Sequence, residues 1–434
     1  MLKYVIPALA LILTPSMAFA QNANPQAIPP NDQGAPISIL DQRAADVLKV
    51  VKGEMQPVDI FAPSFLGAVT PEQFNALTAQ VTAQFGQPQA IENLKPFGPY
   101  KAAFDLRFVS GIGRVEMALS GAGENRITEL LIRRIDPIND DVDAIKADLE
   151  ALPGEVGVYF GPLDGTNPRL AINANRPLAI GSTAKIYILS ALTRKIDAGE
   201  ANWDDVVSIT TRSFPSGVMQ DWPDPAPVTL QTLATMMISI SDNTATDSLL
   251  DYLGQDAVIA EMKASGHSRP EFNIPFLQTK QLFKMKGAGD KLIGAYRSGN
   301  VAEKTAILES IEDTDVTPAE IDAAFANGPY AIDVEWIASA HDLRKMLAHL
   351  PKGGAGVPLK VMAVNPSAPD TFFEKYPRIF YKGGSEPGVL NFTWLMMDKA
   401  GGWHVLTMGW NNPAAELEER RFELLAQRLF ALPL

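Results

Sequence analysis

Apolar positions change their spacing several times along the chain, and each change predicts a different element. Residues 44–51 repeat at helical spacing, and a second helix opens at Thr70-Pro71-Glu72, a capping hydroxyl followed by proline in the first turn. Phe74, Leu77, Val81 and Phe85 keep that spacing up to Gly86. The pattern then shortens to alternating runs at 100–109, 113–119 and 127–135, separated by Gly and Asn turns, which predicts a strand meander. Residues 140–152 read as an acidic linking helix stopped by Pro153-Gly154. Two short strands, 155–160 and 169–172, meet through an Asp164-Gly165 turn and predict a hairpin. Helical spacing returns at Ile186, Tyr187, Leu189 and Leu192, again at Leu230, Leu233, Met236, Met237 and Ile240, and in a helix from Thr244 to Gly254. The last elements are a strand ending in 379–385, strands 389–397 and 404–410, and a helix over 413–432.

Helices followed by a meander predict a small α+β domain over 38–139, and the remaining residues, 140–434, form the second and larger domain. A length of 434 residues agrees with more than one core. The N-terminus predicts processing rather than fold. Lys3, an apolar run over 5–13 and Ala18-Phe19-Ala20 are expected to form a signal peptide, 1–20, removed after Ala20. Residues 21–37, with four prolines and almost no charge, read as a Pro-rich linker. The expected location is therefore the periplasm or the exterior, with no membrane contact once the leader is gone.

Charge narrows the partners. Fifty acidic against 37 basic residues leave a net charge of −13, which excludes a nucleic-acid backbone as the main ligand and leaves a small-molecule substrate. There is no cysteine, so disulfides, thiol nucleophiles and Cys-ligated metals are excluded. The four histidines are scattered without a His-Glu-x-x-His pattern, and phosphate loops and dinucleotide fingerprints are missing, so no metal and no cofactor are expected. No Gly-x-Ser-x-Gly elbow occurs either.

One constellation carries chemistry. Ser182-Thr183-Ala184-Lys185 sits at a helix N-terminus, and three residues are nearly one turn, so Lys185 returns to the face of Ser182. A lysine there can take the hydroxyl proton if burial lowers its pKa. The free N–H groups of the first turn can stabilise an oxyanion on a carbonyl that the serine attacks. Ser241-Asp242-Asn243 lies between two helices, 59 residues after Ser182, and Lys382-Gly383-Gly384-Ser385 ends a strand. In this order the three elements resemble the class A β-lactamase and penicillin-binding protein superfamily, whose signature is Ser-x-x-Lys, Ser-Asp-Asn and Lys-Thr-Gly. The resemblance covers about residues 153–434 and implies an antiparallel sheet packed on helices, with a helical subdomain across a cleft. It also implies roles. Ser182 would be the acylated nucleophile and Lys185 its base. Ser241 would pass a proton to the leaving nitrogen, Asn243 would hold substrate and lysine, and Lys382 would supply positive potential. Gly384 and Ser385 would line the substrate site, with the N–H groups of Ser182 and Ser385 as oxyanion hole. Asp242 is expected to fix its own turn.

The chain departs from that pattern in four places. Lys382-Gly383-Gly384 lacks the usual hydroxyl beside the glycine, and residues 389–397 contain no arginine, so carboxylate recognition differs, with Ser385 able to supply a hydroxyl. The Glu-x-x-Leu-Asn loop that serves deacylation in class A enzymes is absent. Glu271, in an extended segment, and Glu335, at a helix start, are the nearest candidates for a deacylation base. The stretch from Asn243 to Lys382 is also longer than in class A proteins. The excess, about 280–334, reads as a solvated surface insertion rather than a lid. An α+β domain of cystatin-like or NTF2-like layout ahead of a class A-like domain resembles a group of serine hydrolases, one of which serves clavulanic acid biosynthesis. The stretch 216–223, SGVMQDWP, resembles that group as well, and Trp222 within it suits a cleft wall. The resulting expectation is an exported serine hydrolase acting on a β-lactam. The alternatives are an esterase or D,D-peptidase acting on a peptidoglycan fragment, and a β-lactam sensor acylated once without turnover.

Overall fold

The computed structural model describes residues 39–433 apart from 122, 139, 210, 313, 315, 316, 351–355 and the side chains of 137, 370 and 371. The expected leader and linker lie outside the described residues. The described chain forms two compact units that divide between Asp141 and Val142.

In the first unit, α1 (Ile39–Val51) buries Leu40, Ala44, Val47 and Val50, one stripe at spacings of three and four. A longer helix, α2 (Pro71–Phe85), begins with a full capping box: Thr70 Oγ accepts the Gln73 N–H while the Gln73 side chain returns to the Thr70 N–H. Strands β1 (Pro88–Gly98), β2 (Lys101–Phe108), β3 (Gly111–Leu119) and β4 (Ile127–Pro137) follow as an antiparallel meander in chain order. Their inner faces close on Phe61, Phe65 and Phe74, and this core is built entirely from residues 40–130.

The second unit opens with α3 (Val142–Glu150), tied by Asp148 to Arg428 at 2.5 Å. Its main sheet contains β5 (Glu155–Pro162) and β6 (Leu170–Ile172), and later β9 (Arg378–Glu386), β10 (Val389–Met397) and β11 (Trp403–Asn411). The strand order is β9-β10-β11-β5-β6, antiparallel throughout. A two-residue ladder joins β7 (Leu178–Ala179) to β8 (Ile337–Ala338). The central helix α4 (Lys185–Asp197) buries nine consecutive residues, 185–193, so it is surrounded on all sides. Around it pack α5 (Leu230–Ser239), α6 (Asn243–Leu253) and α8 (Ala340–His349), and α9 (Glu419–Ala431) ends the unit.

The 280–334 stretch is not a solvated surface. It forms α7 (Thr279–Ala288) and helices Asp290–Ser298, Val301–Ser310 and Pro318–Ala324. Leu282, Met285, Ile293, Tyr296, Leu308 and Ile311 join the core of the second unit. Its charge counts suggested solvation, but the charged side chains alternate with an apolar stripe that is buried.

Candidate active site

Three stretches far apart in sequence meet around one hydroxyl. Ser182 lies in the tight 3-10 turn Gly181–Ala184 that leads into α4. Asn243 is the first residue of α6, and Ser241 precedes it in the short link from α5. Lys382 comes from the middle of β9, where it pairs with Thr393 of β10.

Lys185 and Lys382 are both buried, and both donate to Ser241 Oγ, at 3.0 and 3.1 Å. Lys185 also donates to the Ser241 carbonyl and to Asn243 Oδ1, each at 2.7 Å. Lys382 reaches the Gly383 carbonyl as well. Because Ser241 Oγ accepts from both amines, its own proton is free to be given to a third group. Two ammonium ions on one hydroxyl in a dry site repel, so the pair cannot hold both charges cheaply. Burial pushes Lys185 down to about 7, partly opposed by Asp247 and Asp242. Lys382 is pushed well below the usual lysine range, by burial first and by Lys185 second. As an ammonium, Lys185 spends its three N–H donors on the partners named above. Losing one proton gives it a lone pair, on a residue that stands three positions after Ser182 where the turn passes into α4.

The backbone of β9 lies directly against that serine. A Cβ on Gly384 would fall 2.5 Å from the Ser182 nitrogen and 2.2 Å from the Ile180 carbonyl, so only glycine permits this approach. A Cβ on Gly181 would stand 3.1 Å from the Ser385 nitrogen. The two amides expected to form an oxyanion hole are therefore neighbours, although they are about two hundred residues apart in sequence.

Asp242 does not face this space. It caps α6 by accepting from Ala245 N at 2.8 Å, and its other oxygen accepts from Val218 N and Met219 N at 2.7 and 2.9 Å. Asn243 continues the same strap: its N–H donates to Ser216 O and its Nδ2 to Phe214 O. Sequence reasoning missed this function of 214–219. Gly217, at φ +107° and with no room for a Cβ beside Asp242, was the available signal. Trp222 is partly buried and packs on the core of the unit, and its carbonyl accepts from Arg212.

The two glutamates expected near the site separate. Glu271 lies not in an extended segment but in the 3-10 turn Pro270–Asn273, exposed and paired with Arg269 at 2.5 Å, which holds its carboxyl below the usual range. None of its hydrogen bonds reaches the Ser182 cluster. Glu335 is not at a helix start. It immediately precedes Trp336 and β8, buried, and the helix that follows, α8, is capped by Ser339 instead. Burial and the neighbouring Glu386 push its carboxyl up to about 8, so at neutral pH it is an acid rather than a base. Among the described residues, no cluster of His, Asp or Glu could hold a metal ion.

Residues 141–354 match the model of the β-lactamase enzyme family. A search of curated proteins returns no match. Similar solved structures include a β-lactamase from Sphaerobacter thermophilus, 22% identical over 68% of this chain and 100% of that one, with a TM-score of 0.46. A β-lactamase from Francisella tularensis is 14% identical over 67% of this chain and 96% of that one, with a TM-score of 0.47. PBP-A is 18% identical over 67% of this chain and 92% of that one, with a TM-score of 0.44.

Proposed function

We propose that this chain, whose C-terminal unit is a β-lactamase-like serine hydrolase, opens β-lactam rings through an acyl-enzyme on Ser182. The observation that carries the reading is the convergence of Lys185, three residues after Ser182, with Lys382 and Asn243 on and around Ser241. In the proposed sequence the neutral Lys185 amine takes the Ser182 proton as Oγ bonds to the lactam carbonyl carbon. The developing oxyanion turns toward the N–H groups of Ser182 and Ser385. The C–N bond then breaks as Ser241 gives its proton to the leaving nitrogen, and an adjacent lysine ammonium replaces that proton. Lys185, neutral again, can draw a proton from water to hydrolyse the ester, which returns the proton to Ser182. With Glu271 exposed and Glu335 protonated, the lysine is the base best placed for both halves. On the strength of the expected leader, we place the activity in the periplasm or outside the cell.

Penicillin G treatment followed by intact mass, run beside nitrocefin turnover and a thioester panel, tests the reading. Rapid nitrocefin turnover with a transient adduct, both lost in Ser182→Ala, supports it. A persistent penicillin adduct without turnover would make the protein a sensor. Ester cleavage with no reaction at the lactam would make it an esterase and overturn the β-lactam assignment.

A further inference from the structure

Outside the proposed acylation chemistry, buried charges also gather next to Ser385, one of the proposed oxyanion donors. Lys286 of α7 and Glu386 at the end of β9 have side-chain exposures of 0% and 4%. Lys286 Nζ contacts both Glu386 oxygens, at 2.6 and 2.8 Å, and lies 5.5 Å from the centre of the Phe325 ring. Glu335 completes the cluster: its carboxyl hydrogen-bonds that of Glu386, and its Oε2 accepts the Trp336 N–H at 2.8 Å. Two carboxyls in hydrogen-bond contact need a proton between them. Glu386 faces the lysine and is the better anion, so the proton sits on Glu335.

Both glutamates are joined through the backbone to the proposed oxyanion donors. Glu386 directly follows Ser385 in β9. The carbonyl of Trp336, next to Glu335, accepts the Ile180 N–H at 3.0 Å, two residues before Ser182. We propose that Lys286, Glu386 and Glu335 form a positioning triad, holding the Ser182 and Ser385 N–H groups in register through one shared proton. The inference rests on the acyl-enzyme reading above and assigns a role to the helical stretch 279–288 that the acylation steps leave unused. None of the three is a catalytic residue, since they act through the backbone they hold.

The triad brings a pH dependence of its own. Glu335 faces Glu386 from β9, Lys286 from α7 and, at longer range, Lys185 from α4. Lys286 also acts at a distance on Asp333, which pairs with Arg297. With its carboxyl at about 8 against an ordinary 4.5, Glu335 stabilises the fold fully below about 4.5. That contribution is lost as pH rises, and is gone above about 8. Ionisation there puts a second negative charge against Glu386 and disturbs the register.

Two readouts on the full chain test this, melting and Ser182 acylation, each followed from pH 5 to pH 9.5. Relative to Glu335→Gln, the wild type should lose melting temperature between about pH 5 and pH 8 and run parallel above. Acylation by penicillin or a reactive ester should fall on an alkaline limb near pH 8 in the wild type. Glu335→Gln should move that limb up by one pH unit or more and leave the acid limb, set by Lys185, in place. Glu386→Gln, which strands Lys286, should slow acylation about tenfold or more at neutral pH with little change in half-saturating concentration. Parallel melting profiles at every pH would overturn the shared proton. Melting linkage without movement of the alkaline limb would make the triad purely structural and overturn the positioning role. A wild type that no lactam or ester acylates would overturn the acyl-enzyme reading first, and this inference with it.

Discussion

A serine in the left-handed backbone region costs on the order of 1–3 kcal/mol, and Ser241 stands there at φ +60°. What holds it is visible: Lys185 binds its carbonyl, and both lysines bind its hydroxyl. In this backbone its hydroxyl accepts from both amines, the arrangement that the proposed proton transfer uses. If Lys185 is the base, Lys185→Ala should slow acylation of Ser182 by on the order of a thousandfold, as loss of a general base does. Lys185→Arg should not rescue it, because a guanidinium stays protonated. In the wild type the acylation rate should rise with pH through about 7, since burial lowers this amine and only its neutral form accepts a proton. Stopped-flow acylation across that range checks both points, and a wild-type rate in the alanine variant would remove Lys185 from the mechanism. The residues of this cluster were legible because chemistry fixed their spacing: three positions place Lys185 above Ser182 on one helix face. Glu335 was misread, since an acidic residue ahead of a helix looks the same in sequence whether it caps the helix or is buried in front of it. Lys286 was missed for a related reason. It stands four residues after Leu282, on the buried stripe of α7, but lysine in a charged stretch reads as solvated.

Elements bring these residues together, and the tightest joints are made by glycine and by one buried carboxylate. Gly384 lets β9 press on the 180–182 turn. Asp242 holds the end of α6 and the strap at 217–219 with the same side chain. Asp242→Ala should therefore cost about 2–3 kcal/mol, from one lost cap and two backbone N–H groups left without their acceptor. Acylation should slow as well, since Asn243 and Ser241 lose their support. Denaturant titration and acylation of the same preparation would show both effects together. A full loss of stability with an unchanged rate would mean that the strap does not position the site. The strands around Lys382 were readable as alternating or continuously apolar runs, and the end of β10 at Met397 fell where the pattern put it. Strand β1 was not read at all. Its sequence, PQAIENLKPFG, mixes proline, charge and glycine, and it pairs with β2 through repeated register shifts at the edge of its sheet. The final helix begins at Glu419 rather than near Pro413, because the apolar stripe that fixes it, Phe422, Leu425, Ala426 and Leu429, starts later.

At the scale of the molecule, the deciding fact is that the apolar interior is divided. One cluster of buried residues draws on residues 40–130 and another, in the second unit, on residues 159–405, and among the described residues the two have none in common. Every side chain of the Ser182 cluster, and every one that supports it through Asp242 or Glu386, belongs to the second unit. That unit closes on itself at its N-terminal edge as well: α3 buries Ile145 and Leu149, and Asp148 reaches Arg428 in the last helix. A chain that begins at Asp140 keeps this edge and loses only the first unit. With nearly three hundred residues it is large enough to bury its own core. It should melt in a single cooperative transition, where the full chain can show two, and Ser182 should be acylated by a small reactive ester within about threefold of the full-length rate. Calorimetry and stopped-flow acylation on the two chains make the comparison. Bulky substrates provide the second arm, since a change of selectivity with unchanged ester acylation would give the first unit a part in substrate choice. A shortened chain that melts cooperatively but no longer acylates with any small ester would show the first unit to be part of the site. The assignment of all the chemistry to residues 142–430 would then fail.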